Sequence, residues 1–161
     1  MKKTLEIYTD GSSNNKTREG GWAFVVLSDD RIKHKEFGHK SDTTNNRMEL
    51  TAILNALHHC INKYTFGKLI IYTDSKYISN TIHFDWATDW KSKGWKSFMG
   101  EDTKNVDLWE EFLNIKARLN RRNLGLEVRW VRGHDGNKYN EMCDQLAKES
   151  RHNKIVNNNY E

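Results

Sequence analysis

The sequence predicts one α/β domain, of the α+β kind, in which a mixed five-stranded sheet is flanked by helices. Three observations lead there. Three strand-like runs stand together near the N-terminus, and two more follow, each after an apolar pattern of helical period. The chain has 161 residues, and single cores usually reach about 100–200 residues before a chain divides.

Thr4 to Asp10 reads as the first strand, followed by a turn of Gly11-Ser12-Ser13-Asn14-Asn15. Residues 21–28 and 31–39 read as the next two, and the short Asp29-Asp30 link makes them an antiparallel hairpin. From Thr44 to Asn62 the apolar positions Met48, Ala52, Ile53, Ala56, Leu57, Cys60 and Ile61 recur at helical spacing. A strand over 68–73 runs into Asp74-Ser75, a helix start, and a helix over 75–83 follows. Residues 84–105 differ: Trp86, Trp90 and Trp95 stand among Lys91, Lys93, Lys96 and Lys104 with little periodic core signal. They read as a short helix and a basic loop projecting from the body. A helix over 106–120, a strand over 126–131, a turn at 133–137 and a helix over 138–150 complete a domain spanning 1–150. Residues 151–161 form an Asn-rich polar tail, expected to be frayed.

Composition narrows the class of function. Charged residues make up 30% and hydrophobic ones 36%, but six each of Trp, Tyr and Phe mark a chain that folds. No apolar run approaches the roughly 18–20 residues of a membrane span, and the charges in Met1-Lys2-Lys3-Thr4-Leu5-Glu6 break up any signal-peptide core. A cytoplasmic protein without a membrane partner is expected, and nothing demands more than a monomer. Cys60 and Cys143 sit in helical patterns without the neighbours of a zinc site, so they read as small buried thiols. A net charge of +4 suits a polyanionic partner.

The chemistry lies in the acids. The first and fourth strands end alike, Ile7-Tyr8-Thr9-Asp10 and Ile71-Tyr72-Thr73-Asp74. If the two strands run side by side and parallel, both aspartates emerge at the same sheet edge. Either one alone would serve equally as a turn or cap residue. Glu49 shares a helical face with Ala52, Ile53, Ala56 and Cys60, which aims a carboxylate at the sheet. A buried carboxylate needs a cation, a donor or a proton; Arg47 and a metal ion are the two alternatives. Asp144, in the first turns of the last helix, fits a site acid or a solvated helix acid equally by spacing.

The motifs Tyr8-Thr9-Asp10-Gly11-Ser12, Thr43-Thr44-Asn45-Asn46-Arg47-Met48-Glu49-Leu50, Tyr72-Thr73-Asp74-Ser75, Gly94-Trp95-Lys96, Asn105-Val106-Asp107-Leu108-Trp109, Gly133-His134 and Asn140-Glu141-Met142-Cys143-Asp144 resemble, in order and spacing, type 1 ribonuclease H of the bacterial form with a basic protrusion. The resemblance covers residues 4 to about 150. It implies the ribonuclease H-like fold and an endonuclease that hydrolyses the RNA strand of RNA–DNA hybrids by two-metal-ion catalysis, leaving 5′-phosphate and 3′-hydroxyl ends. It makes Asp10, Glu49, Asp74 and Asp144 the metal-binding acids and His134 a mobile catalytic histidine. Asp10 would bridge the ions, Asp144 would serve the nucleophile side, and Glu49 and Asp74 the leaving-group side. Two Mg²⁺ ions are implied, with Mn²⁺ as a substitute; hard oxygen ligands without cysteine suit such ions.

For the substrate, the resemblance and position together single out Asn14, Asn15, Lys16, Asn45 and Asn46 for the RNA 2′-hydroxyls. Thr44 and Asn105 match a pocket for a DNA-strand phosphate. Tyr77, Trp86 and Trp90 would pack on DNA sugars, and Lys91, Lys93 and Lys96 would meet phosphates; for the two tryptophans an i, i+4 core pair is the alternative. Three positions depart from the family pattern. Lys16 stands where an asparagine is usual, Asp42 where some relatives have arginine, and the Asp74 to Trp86 spacing is one residue longer. Two other functions were weighed. A non-catalytic hybrid-binding module would have lost a metal acid, and a proofreading exonuclease would begin Asp-x-Glu, whereas this chain has Asp10-Gly11-Ser12.

Overall fold

Hydrogen bonding joins five strands in the order β3-β2-β1-β4-β5. They are β1 (Thr4–Ser13), β2 (Gly20–Ser28), β3 (Arg31–Lys40), β4 (Lys68–Thr73) and β5 (Gly125–Trp130). The computed structural model describes residues 2–96, 100–133 and 136–154. β1, β2 and β3 pair antiparallel, while β1 with β4 and β4 with β5 pair parallel, so β1 is where the sheet changes direction. The mixed sheet expected from the sequence is therefore present.

Side chains alternate across it. Leu5, Ile7, Trp22, Phe24, Val26, Leu69 and Ile71 meet helix α1 (Asn45–Lys63) and helix α4 (Val106–Arg121) in the larger core. Tyr8, Ala23, Val25 and Leu27 meet Cys143 and Ala147 of helix α5 (Lys138–Asn153) on the other face. Both cysteines are fully buried free thiols, as expected, and burial pushes Cys60 up to about 12. Thr44 caps α1 by accepting from the Arg47 N–H at 3.3 Å, and Asn137 caps α5 by accepting from the N–H groups of Tyr139 and Asn140. No helix among the described residues is long and apolar enough to cross a membrane.

Two expectations are corrected and one open alternative is closed. β1 does not end at Asp10: Gly11, Ser12 and Ser13 continue the ladder opposite Trp22, Gly21 and Gly20, and the turn follows them. Turn-type residues stay extended there because β2 satisfies their backbone. α5 takes in Arg151, His152 and Asn153, which had been assigned to the tail; the Arg151 guanidinium holds this end by donating to Ser12 Oγ at 2.8 Å. Arg47 does not partner Glu49. Its guanidinium donates to both Asp107 oxygens, at 3.0 and 2.7 Å, and so ties the start of α1 to the start of α4.

Residues 84–105 contain α3 (Trp86–Ser92) and an isolated bridge between Lys96 and Asp102. Trp90 turns inward, edge-on to the buried Trp109 at 6.3 Å, while Trp86 is 39% exposed and stacks on Phe84. The two indoles divide the roles that spacing left open.

Gly11 sets the approach of strand to helix. A Cβ there would stand 2.2 Å from Glu49 N and from the Met48 carbonyl carbon, so only glycine lets β1 touch the first turn of α1. Gly11→Ala is expected to cost about 3 kcal/mol, the upper part of the overpacking range, read from the midpoint of urea unfolding. A midpoint equal to that of the parent chain would contradict this contact.

Candidate active site

The two matching sequence runs lie in register, Ile7 beside Ile71 and Tyr8 beside Tyr72. Their tyrosine rings stack at 4.5 Å, and the Thr9 hydroxyl donates to the Tyr72 carbonyl at 3.2 Å. Two residues on, Asp10, still within β1, stands alongside Asp74, which follows the last residue of β4. Glu49 reaches them from the first turns of α1, brought close by the contact at Gly11. One carboxylate oxygen from each of Asp10, Glu49 and Asp74 lies within 4.8 Å of the others.

Asp10 is 3% exposed and Glu49 is 7% exposed. The Gly11 N–H donates to Asp10 Oδ1 at 2.9 Å, while Glu49 Oε2 is buried with no hydrogen-bond partner. Burial raises the Asp10 pKa to about 7, with the Asp74 and Asp144 charges adding to the rise. Burial likewise raises Glu49 well above the usual carboxylate range, and Asp10 adds to it by charge and by a shared hydrogen bond. Without a cation, the pair keeps a proton between two carboxyl groups. Buried oxygen donors, one of them unpartnered, fit a hard divalent ion.

Asp144 lies outside this trio. It sits on α5 after Cys143, whose thiol donates to the Tyr8 carbonyl at 3.3 Å and fixes the helix against β1. Its charge is felt at Asp10, and its own carboxylate pairs with Lys148 at 3.1 Å. His134 lies outside the described residues. The adjacent Gly133 comes so near that a Cβ there would be 3.0 Å from Asp74 Oδ2.

The expected substrate residues divide. Asn46, Tyr77, Trp90 and Asn105 line one groove of about 240 Å³, completed by Asp102, Thr103 and Lys104. Asn45 Oδ1 accepts from Ser13 N at 2.6 Å, which orients its amide at the end of β1. Asn14 Oδ1 accepts from the N–H groups of Lys16 and Thr17 and so organises its own turn, leaving Asn15 and Lys16 exposed at the tip. Thr44 is exposed at the cap of α1. Lys93 pairs with Asp89 at 3.0 Å and Lys96 pairs with Asp102, while Lys91 is exposed. Arg18 pairs with Asp42 at 2.7 Å, so a guanidinium stands beside position 42 although position 42 is acidic.

Sequence reasoning missed Trp130. At the end of β5 its indole N–H donates to the Asp74 carbonyl at 3.0 Å, and Lys76 Nζ lies 4.8 Å above its ring. The signal was faint: a single exposed aromatic at a strand end, visible as part of the site only once β5 is known to flank β4.

The raised pKa has a consequence for stability. Burial lifts the folded Asp10 carboxyl from its ordinary value of 3.8 to about 7, so the folded state holds the extra proton between these values. Its contribution to stability is fully present below about 4 and is lost as pH rises through about 7. Metal-free Asp10→Asn should therefore be more stable than the parent chain above neutral pH, by roughly 1–3 kcal/mol. Mg²⁺ should narrow the gap by stabilising the parent chain. Thermal melts in EDTA and in Mg²⁺ check this; a lower melting point for the variant in EDTA would contradict the crowding.

Comparison with known proteins agrees with this geometry. The model of the RNase H family matches residues 2–152. A ribonuclease H of Chromobacterium violaceum is 42% identical over 146 residues, covering 89% of this chain and 91% of the relative. One from a Wolbachia of Drosophila simulans is 38% identical over 149 residues, covering 92% and 96%. Among solved structures, a type 1 RNase H with the type 2 active-site motif superposes with a TM-score of 0.82 at 27% identity, covering 100% of this chain and 78% of that one. The matching sequence, the five-stranded fold and the acids gathered at its centre place the chain in the ribonuclease H family of endoribonucleases, and it belongs there.

Proposed function

We propose that this protein hydrolyses the RNA strand of RNA–DNA hybrids, using two Mg²⁺ ions held by Asp10, Glu49, Asp74 and Asp144, and leaves 5′-phosphate and 3′-hydroxyl ends. The observation that carries this reading is the trio of carboxylates within 4.8 Å at the end of β1 and β4, one of them with an unpartnered buried oxygen. Bound there, such ions supply an activated water and stabilise charge on the leaving oxygen. In the overall step a water oxygen bonds to phosphorus, the bond from phosphorus to the 3′-oxygen breaks, and a proton ends on that oxygen.

The chain's own groups hold and orient. Asp10, anchored by the Gly11 N–H, would serve both ions; Asp144 would serve the nucleophile side, and Glu49 and Asp74 the leaving-group side. Asn45, Asn46 and the Gly11–Asn15 backbone would read the 2′-hydroxyls that a minor groove displays, with Asn14 or Asn15 standing in for the asparagine that Lys16 replaces. The groove between Tyr77, Trp90 and Asn105 suits the sugars and phosphates of the DNA strand; Thr44 would join Asn105 in holding a phosphate, Trp86 would pack on a sugar, and Lys91, Lys93 and Lys96 would meet phosphates at the rim. His134 would move protons or help product leave. The reading extends to a cytoplasmic monomer, and to Mn²⁺ as a substitute ion.

The test is direct. Labelled RNA–DNA hybrid, RNA duplex, DNA duplex and single-stranded RNA are incubated with protein and Mg²⁺, and cleavage of the hybrid's RNA strand alone is the expected result. Cleavage of RNA duplex at a comparable rate would refute it. Asp10→Asn should abolish cleavage yet still retard hybrid in a gel, and near-normal turnover would sink the assignment of Asp10.

At the rim, replacing Lys91, Lys93 and Lys96 with alanine should raise KM and flatten its salt dependence, since each duplex phosphate contact contributes about 0.9 to a log–log slope. Lys91→Ala alone should account for more of the change than Lys93→Ala, because Lys93 already has an acidic partner. Unchanged slopes in the triple variant would remove these lysines from the interface.

A further inference from the structure

A second group of metal-type donors lies on a different part of the sheet. His34 and Glu36 alternate along β3, so both face the α1 side, opposite Val26 and Phe24 of β2. His59, near the end of α1, reaches over β2 toward them. One ligand atom from each of His34, Glu36 and His59 lies within 4.8 Å of the others. We propose that these three residues form a second metal site, for a borderline transition-metal cation of the Zn²⁺ class, which ties edge strand β3 to helix α1.

The donor set is the first reason. Two imidazoles and a carboxylate suit Zn²⁺, whereas the acid cluster offers oxygen alone and suits Mg²⁺. Geometry is the second. His34 Nε2 and Glu36 Oε1 are 3.1 Å apart, close to the roughly 3.3–3.5 Å that separates two ligands of a tetrahedral Zn²⁺ with bonds of about 2.0–2.1 Å. The His59 ring lies 3.7 Å from the His34 ring, within 14° of parallel, and its edge needs only a rotation about the side chain to face the same point. Third, the surroundings hold the donors in place. Phe24 packs on both rings, at 5.8 and 5.9 Å, and His34 is 6% exposed. Tyr64 Oη lies 3.3 Å from His59 Nε2; with the proton on Nε2, the tyrosine orients the ring and leaves Nδ1 as the ligand, the usual second partner of a metal-binding imidazole.

In the metal-free protein the His34–Glu36 contact is a hydrogen bond. A cation entering there takes the Nε2 lone pair and one carboxylate oxygen, and the ring proton that bridged them moves to Nδ1. With three protein ligands the remaining position falls to water. The consequence is mechanical: the edge strand, covered on its other face by α5, becomes fixed to α1 as well.

Zn²⁺ and, for its visible spectrum, Co²⁺ are titrated into the whole protein in excess Mg²⁺, which occupies the acid cluster. The parent chain and Asp10→Asn should each bind Zn²⁺ with a rise in melting temperature. His59→Gln and Glu36→Gln should bind it at least about tenfold more weakly, with no rise and without the Co²⁺ absorption of the parent chain. A measurement on the parent chain alone makes the test independent of how the variants fold: the imidazole ¹⁵N signals of His34 and His59 should shift together on adding one equivalent of Zn²⁺. Unmoved histidine signals, or Zn²⁺ binding that is lost in Asp10→Asn and kept in His59→Gln, would overturn the site.

Discussion

The structure turns on one constraint, the packing of buried carboxylates against each other at the end of β1. Desolvation and mutual repulsion oppose such a cluster, so the surrounding architecture has to impose it. The parallel pairing of β1 with β4 sets Asp10 beside Asp74. The missing side chain at Gly11 lets α1 press Glu49 into the same space. The thiol of Cys143 seats α5 against Tyr8, which brings Asp144 within electrostatic reach. Each of these contacts is apolar or neutral, and together they hold charges that would otherwise separate.

A division of labour follows. Asp10 stands in a ladder, Glu49 and Asp144 in helical turns, and Asp74 directly after the last residue of β4, where small displacements are costly. The residues placed toward substrate stand on caps, turns and the segment around α3, where exposed side chains can adapt. There the charge is partly neutralised internally: Lys93 and Lys96 already have acidic partners, so any phosphate contact they made would compete with existing ion pairs. Trp90 also belongs partly to the core through Trp109, which gives the groove one wall fixed by core packing.

Much of this was legible in the sequence. Five strands, the helix carrying Glu49 and the parallel match of Ile7-Tyr8-Thr9-Asp10 with Ile71-Tyr72-Thr73-Asp74 follow from periodicity and repetition, because each is a local pattern whose spatial consequence is nearly forced. What escaped depends on long-range partners. Gly11 to Ser13 look like a turn until β2 is there to pair with them. Arg47 looks like a partner for Glu49 until Asp107 arrives from α4, sixty residues away. Asp144 has the same helical context whether it faces the site or Lys148, and Trp130 gains meaning only from the carbonyl of Asp74 across the sheet.

The central claim is that the cluster holds a proton until a divalent cation replaces it. Calorimetric titration of Mg²⁺ into the metal-free protein near neutral pH, repeated in buffers of different ionisation enthalpy, counts the protons released on binding. Release of at least one proton per chain is expected below pH 7, diminishing as Asp10 ionises through about 7 and then as Glu49, also raised by burial, ionises. Binding with no proton release across that range would show that the carboxylates are already fully ionised and that the crowding described for them does not exist.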